Sequence, residues 1–300
     1  MAETQATINA GARRTKYKKR SQLGAIWHRF KKNKLAMAGL VVFLLLVAVA
    51  LCADLIADYD TEVVRQNVKD RFIEPGPGHI FGTDEFGRDQ FARIVHGTRI
   101  SLFVGIVSIL LSLIAGSIIG ATAGYYGGRV DNILMRIMDV FLAIPSTLLA
   151  ISIVAALGQG IMNLMIAMSI SQTPRFARIV RSSILSIKGQ EFIEAAKCCG
   201  TSDKRIILRH IIPNAIGPII VQSTLNVARM ILTISGLSFV GLGISPPTPE
   251  WGSILAAGRA HMRYYPYLVI IPGFAIAIAV MSLNLIGDGL RDALDPKMKN

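Results

Sequence analysis

Six apolar stretches, residues 35–57, 98–124, 133–157, 161–186, 212–242 and 267–287, leave few architectures open to this chain. A helix needs about 20 predominantly apolar residues to cross roughly 30 Å of hydrocarbon. Inside that layer every backbone N–H and C=O must be satisfied within the segment, which a helix achieves. The expectation is an all-α integral membrane protein with six transmembrane helices. The chain is 52% hydrophobic over 300 residues, too apolar for an ordinary soluble domain. The fourth stretch is the weakest, because Pro174, Arg175 and Arg178 interrupt it, so its inner half must be sheltered by protein or water. The first follows a tail of 34 residues and exceeds the 7–15 apolar residues of a cleaved signal peptide; it reads as a retained span.

Charge orients the spans. The net charge is +13, and ten basic residues precede residue 35: Arg13, Arg14, Lys16, Lys18, Lys19, Arg20, Arg29, Lys31, Lys32 and Lys34. Eight more lie in 175–209, whereas loop 58–97 holds eight acidic against five basic residues. Lys and Arg collect on the cytoplasmic side, so the N-terminus, the 190–210 loop and the C-terminus are expected there, consistent with an even number of spans. The basic tail suits anionic membrane lipid rather than nucleic acid. The expected units are a basic tail with a short interfacial helix (1–34), a first span with an outer loop (35–97), a core of spans (98–287) and a C-terminal tail (288–300).

The loops and spans carry local signals. Pro75-Gly76-Pro77-Gly78 is a strong turn, and Gly82, Thr83, Asp84, Gly87, Arg88 and Asp89 form two Gly/Asp turns that predict an ordered outer loop. Gly116, Gly120 and Gly124 repeat at four-residue spacing, a smooth strip for close helix approach or else a bend. Pro145 should kink the third stretch. Arg229 stands mid-span, costly unless paired or facing water, so it is expected to face the bundle interior. It reads either as a pore-lining group or as a structural charge satisfied by carbonyls or Asn226. Asn226, Met230 and Ser235 share its segment and join it as candidate substrate-pathway residues. Loop 244–266 holds Pro246-Pro247-Thr248-Pro249-Glu250-Trp251-Gly252, Tyr264 and Tyr265, with Tyr267 just beyond, which suits a firm outer surface. Cys52 lies far from Cys198 and Cys199, and adjacent cysteines rarely bridge, so no disulfide is expected.

Residues 190–213, QEFIEAAKCCGTSDKRIILRHIIP, form a basic island between two spans. The spacing predicts helix–Gly–helix, with Phe192, Ala195, Ala196 and Cys199 on a small apolar face. Gly200 is placed to end the first helix in the left-handed conformation. Thr201 or Ser202 is placed to cap the second, with Asp203 in its first turn. Pro213 suits the first turn of the helix that re-enters the membrane. Such an element docks into a partner or lies on lipid.

The Glu194-Ala195-Ala196, Gly200 and Pro213 pattern resembles the EAA loop of ABC-importer permeases. Phe81-Gly82-Thr83-Asp84, Gly87-Arg88-Asp89, the Ala123-Gly124-Tyr125 turn, Met135-Arg136 with Asp139, His210 to Asn214, Leu237 to Gly243, Pro246 to Gly252 and Gly287 to Pro296 extend the likeness. Together they resemble the dipeptide/oligopeptide family of ABC-transporter permeases, in particular its C-type subunit. That resemblance implies a type I importer fold, a second permease of B-type, two ATPase subunits that bind ATP and Mg, and an extracytoplasmic substrate-binding protein. It implies a bacterial inner-membrane location and peptide as the default substrate. It assigns ATPase coupling to Glu191, Glu194, Ala195, Ala196, Gly200, Arg205, Arg209, His210 and Pro213 within loop 188–212. His210 replaces the aliphatic residue of the general pattern, as in the peptide branch. Ile234 stands where some relatives have an acidic residue.

The sequence has no G-x-x-x-x-G-K-[ST] loop to cradle ATP, no evident nucleophile–base pairing in its spans and no metal-ligand spacing. It is therefore read as no enzyme, without a cofactor of its own. An ion-gradient transporter would need intramembrane carboxylates or histidines, for which only Asp139 is placed.

Overall fold

The computed structural model describes residues 22–294; the basic residues before Gln22 and the last six residues lie outside them. A short helix, α1 (Gln22–Phe30), precedes α2 (Lys34–Leu51). Asn33 caps α2 by accepting from the backbone N–H of Leu35 and Ala36, each at 3.1 Å. Its amide also donates to Asp292 at 3.3 Å. Phe30 is buried with Ala36, Ile286 and Ala293, so α1 is seated on the last helix of the chain.

After α3 (Ala53–Ile56) comes loop 57–89, then α4 (Gln90–Tyr126). This helix begins well before the apolar stretch at 98. Its first two turns are polar but buried: Gln90, Arg93 and His96 are covered by the loop. His96 Nε2 meets the Ala57 carbonyl at 2.9 Å, and Arg93 reaches the Val63 carbonyl. The loop supplies partners to His96 and Arg93, while the Gln90 amide is buried without one among the described residues.

Two helices, α5 (Gly128–Leu142) and α6 (Ser146–Leu157), meet at 83°. Pro145 sits at the break, where the sequence placed it. Then follow α7 (Ile161–Lys188), α8 (Glu191–Cys198) and α9 (Asp203–Ile206). A π-helical turn, Ile207–Ile211, joins α9 to α10 (Ile212–Phe239), so one helical rod runs from Asp203 to Phe239. The re-entering helix thus starts ten residues before Pro213. The missing proline N–H is absorbed by the wider turn, in which Ile212 N–H bonds the Ile207 carbonyl. The chain closes with α11 (Trp251–Gly258) and α12 (Tyr267–Leu294). α12 takes in residues 288–294, which the sequence had placed in a tail.

Helices dominate the described residues, among which β pairing is limited to two isolated bridges, Gly76 with His79 and Thr83 with Asp89. Four helices are long and apolar enough to cross a membrane, and a fifth if the bent pair α5–α6 counts as one span. The polar α7 is not among them. It is nonetheless central, because α4 packs along its length. A Cβ on Gly116 would lie 2.9 Å from the Ala177 nitrogen, and one on Gly120 2.3 Å from the Ala177 carbonyl oxygen. The glycine strip is therefore a seam within this chain, closed by backbone contact.

Replacing Gly120 by alanine should force α4 and α7 apart, at a cost of about 1–3 kcal/mol. Gly236 has open space where its Cβ would stand. Thermal melting in detergent should show a clear loss for Gly120→Ala and none for Gly236→Ala.

Candidate functional site

At the 189–202 end, α8 lies across the ends of the long helices. Gln190 precedes it, and Gly200 follows with φ +72°, a left-handed conformation that L side chains rarely adopt. Ser202 stands at the N-cap of α9 without a side-chain cap bond, and Asp203 lies in the first turn. Ile193, Ile206 and Ile211 are fully buried in one cluster with Ala121, Tyr125, Val180, Ile184 and Ile219. The small apolar face expected from Phe192, Ala195, Ala196 and Cys199 does not point inward. Ile193 is the residue that anchors α8, Ala196 is half-buried, and Phe192, Ala195 and Cys199 are exposed. Glu191, Glu194, Gly200, Arg205, Arg209 and Pro213 are exposed as well, and His210 is half-buried. None of these charged residues enters an ion pair among the described residues. The predicted residues are thus exposed or half-buried around α8 and α9, with their charges free of ion pairs among the described residues.

Beside this surface, two ion pairs fasten α5 to α7: Arg178 to Asp139 at 2.7 Å and Arg181 to both carboxylate oxygens of Asp131. Leu142, Arg175, Arg178, Ile179, Ser182 and Ser183 line an open cavity of about 530 Å³ there. Asp139, the one acidic group placed for ion coupling, already has a cationic partner.

Mid-rod, the structure corrects one expectation. Arg229 is exposed on the surface of this chain, not turned into its own bundle. It bonds neither Asn226 nor any carboxylate among the described residues. Asn226, Met230 and Ser235 are buried behind it, and Asn226 Nδ2 and Ser235 Oγ have no partner. The reason is helical phase: Arg229 shares an exposed stripe with Leu232, Gly236 and Val240, while Met230 packs into a cluster with α4, α6 and α7.

At the opposite end, loop 57–89 is built around Asp84. Its carboxylate accepts from the N–H of Phe86 and Arg88 at 2.9 and 3.0 Å and from Arg88 Nε at 2.7 Å. Arg93 lies 3.6 Å away. The Thr83 hydroxyl donates to the Asp70 carbonyl and accepts from Ile73 N–H. Asp89 caps α4 through Ala92 N–H and contacts His79 at 2.8 Å. Gly82 and Gly87 both have positive φ, and a Cβ on Gly82 would strike the Ile73 carbonyl at 2.5 Å. Tyr267 of α12 donates to the Thr83 carbonyl at 2.8 Å, and His261 meets Glu85 at 3.1 Å. The Thr61 hydroxyl, with its N–H, holds the Asp58 carboxyl below the usual carboxylate range. Glu250, fully buried, caps α11 through Gly252 and Ser253 N–H and accepts from Ser101. α11 lies inside the loop expected over 244–266, because glutamate is an uncommon N-cap and marks no helix start.

Residues 112–300 match the family described as binding-protein-dependent transport system inner membrane component. Residues 21–75 match the N-terminal TM domain of oligopeptide transport permease C. The chain is 47% identical to the dipeptide transport system permease protein DppC of Alkalihalophilus pseudofirmus, covering 91% of this chain and 89% of that one. It is 44% identical to the glutathione transport system permease protein GsiD of Pectobacterium atrosepticum, over 91% of each. Against the di/tripeptide transport system permease protein DppC of Pseudomonas aeruginosa it is 41% identical, over 93% and 94%. In fold it is similar to a chain of the inward-facing MetNI methionine ABC transporter, at TM-score 0.56 and 18% identity, over 68% of this chain and 97% of that one.

Asp84→Asn would leave two buried guanidinium groups without their anion, so a loss of about 3–5 kcal/mol is expected. Asp54 is 65% exposed in its pair with Arg99, so Asp54→Asn should melt as wild type. Limited proteolysis of loop 57–89 and thermal melting will separate the two.

Proposed function

The chain belongs to the binding-protein-dependent transport system inner membrane component family, and from that premise we propose that it serves as a peptide-transporting permease subunit of an ATP-driven importer. Peptide, with glutathione included in that class, is the cargo that the relatives' names support. The observation that carries the coupling role is the surface around α8. It is seated on the ends of α4, α7 and the 203–239 rod, yet turns Glu191, Glu194, Ala195, Arg205 and Arg209 to the outside. A helix anchored inward by Ile193 with a bare outer face suits docking into an ATPase subunit.

In this reading two ATPases hold ATP and Mg, and this chain holds no cofactor. A B-type permease completes the pore, and an extracytoplasmic binding protein delivers the peptide. Six spans in a bacterial cytoplasmic membrane, with both termini inside, place α8 on the ATPase side; the asymmetry of basic residues supports that orientation. Closure of the ATPase pair then moves α8 and α9 with the helix ends they cover, and the spans rotate between inward- and outward-facing states. Arg229 has no side-chain partner among the described residues, and a lone guanidinium does not face hydrocarbon. Its stripe accordingly lines the water-filled pathway between the two permeases. The ion-coupled alternative is disfavoured by the Arg178–Asp139 pair.

Co-expression with the second permease and ATPases, followed by pull-down and ATPase assay, tests the reading. Recovery of the ATPases, with activity raised by peptide-loaded binding protein, is expected. A chain that purifies alone and whose uptake persists without ATP would favour ion coupling. Ala195→Glu should leave the fold intact yet abolish ATPase recovery. Arg229→Gln should keep the assembly and lower peptide uptake about tenfold, the scale of one charge-assisted hydrogen bond.

A further inference from the structure

Tyr125 lies in the last turn of α4 and is 5% exposed. Its hydroxyl donates to Asp203 Oδ1 at 2.6 Å. Asp203 opens the continuous rod to Phe239. The ammonium groups of Lys188, at the end of α7, and Lys197, on α8, each stand 5.8 Å from the centre of the Tyr125 ring. Four elements, α4, α7, α8 and α9, thus meet at one aromatic ring. The isoleucine cluster beneath them is apolar and non-directional, so it holds the loop close without fixing its angle. The hydrogen bond and the two flanking cations are directional and supply what the cluster lacks. Tyr126, the next residue, is exposed, and its hydroxyl makes no hydrogen bond among the described residues, so it serves as the internal control.

We propose that Tyr125, through Asp203, is a positioning residue that ties the 189–202 loop to α4 and so determines how much loop motion reaches the spans. This rests on the permease reading above. The tie makes loop, α4 and rod turn as one body. Without it the loop yields before the spans do, and ATP is hydrolysed without transport.

Two measurements test it. In the chain alone, hydrogen exchange of residues 191–206 should quicken about tenfold in Tyr125→Phe, the scale of one hydrogen bond to a charged acceptor. Tyr126→Phe should match wild type, and Asp203→Asn, which keeps an acceptor, should lie near it. In proteoliposomes holding the full assembly, Tyr125→Phe and Asp203→Ala should retain ATP hydrolysis while peptide transported per ATP falls several-fold. Unchanged exchange and an unchanged ratio in Tyr125→Phe would overturn the proposal. So would a parallel fall of transport and hydrolysis that leaves the ratio constant. If no wild-type assembly hydrolyses ATP, the permease reading fails, and the exchange experiment still decides the tie.

Discussion

The backbone contact between α4 and α7 is the constraint on which the rest of the molecule depends. In hydrocarbon no solvent drives helices together, so association relies on close packing and on polar contacts. Gly116, Gly120 and Gly124 remove every side chain from one face of α4, and α7 fills that face with its backbone. An arginine-bearing helix is thereby held in a bundle that its own hydropathy would not secure. The two ion pairs from α7 to α5 and the isoleucine cluster under α8 both take their places from this seam.

The opposite end uses a different economy. Loop 57–89 has little apolar surface to bury, and its order comes from one carboxylate, Asp84, surrounded by two guanidinium groups and two backbone N–H donors. Glu250 repeats the device beside Ser101 and the N-terminus of α11. Buried carboxylates of this kind fix geometry, because each lone pair has a specific donor. Tyr267 and His261 carry the fixed geometry across to α12 and its preceding segment.

What was legible in the sequence follows from range. The proline at 145 and the glycine spacing act within one or two turns, and both stand where the sequence places them; the apolar runs mark four spanning helices, or five with the bent pair, but not their ends. The buried polar start of α4 was not, because the partners of His96 and Arg93 lie 39 and 30 residues away in the chain. The same holds for α11, whose cap is a glutamate with a remote serine partner. The face of α8 was misjudged because spacing gives a stripe but not the surface it meets: Ile193 alone outweighs four smaller or exposed residues. Arg229 shows the converse case: hydropathy marks it as a cost inside a span, but only the helical phase of the folded rod shows that it is exposed.

The length of α4 has a consequence of its own. Its 37 residues span about 55 Å at 1.5 Å per residue, against roughly 30 Å of hydrocarbon. Both ends therefore stand in water, one clasped by the Asp84 loop and the other by the cluster under α8. A packed helix does not shorten, so an event at either clasp is delivered to the other within the same stiff body. The Asp84 loop and the cluster under α8 are thus the two ends of one rigid element, with no break in the helix between them.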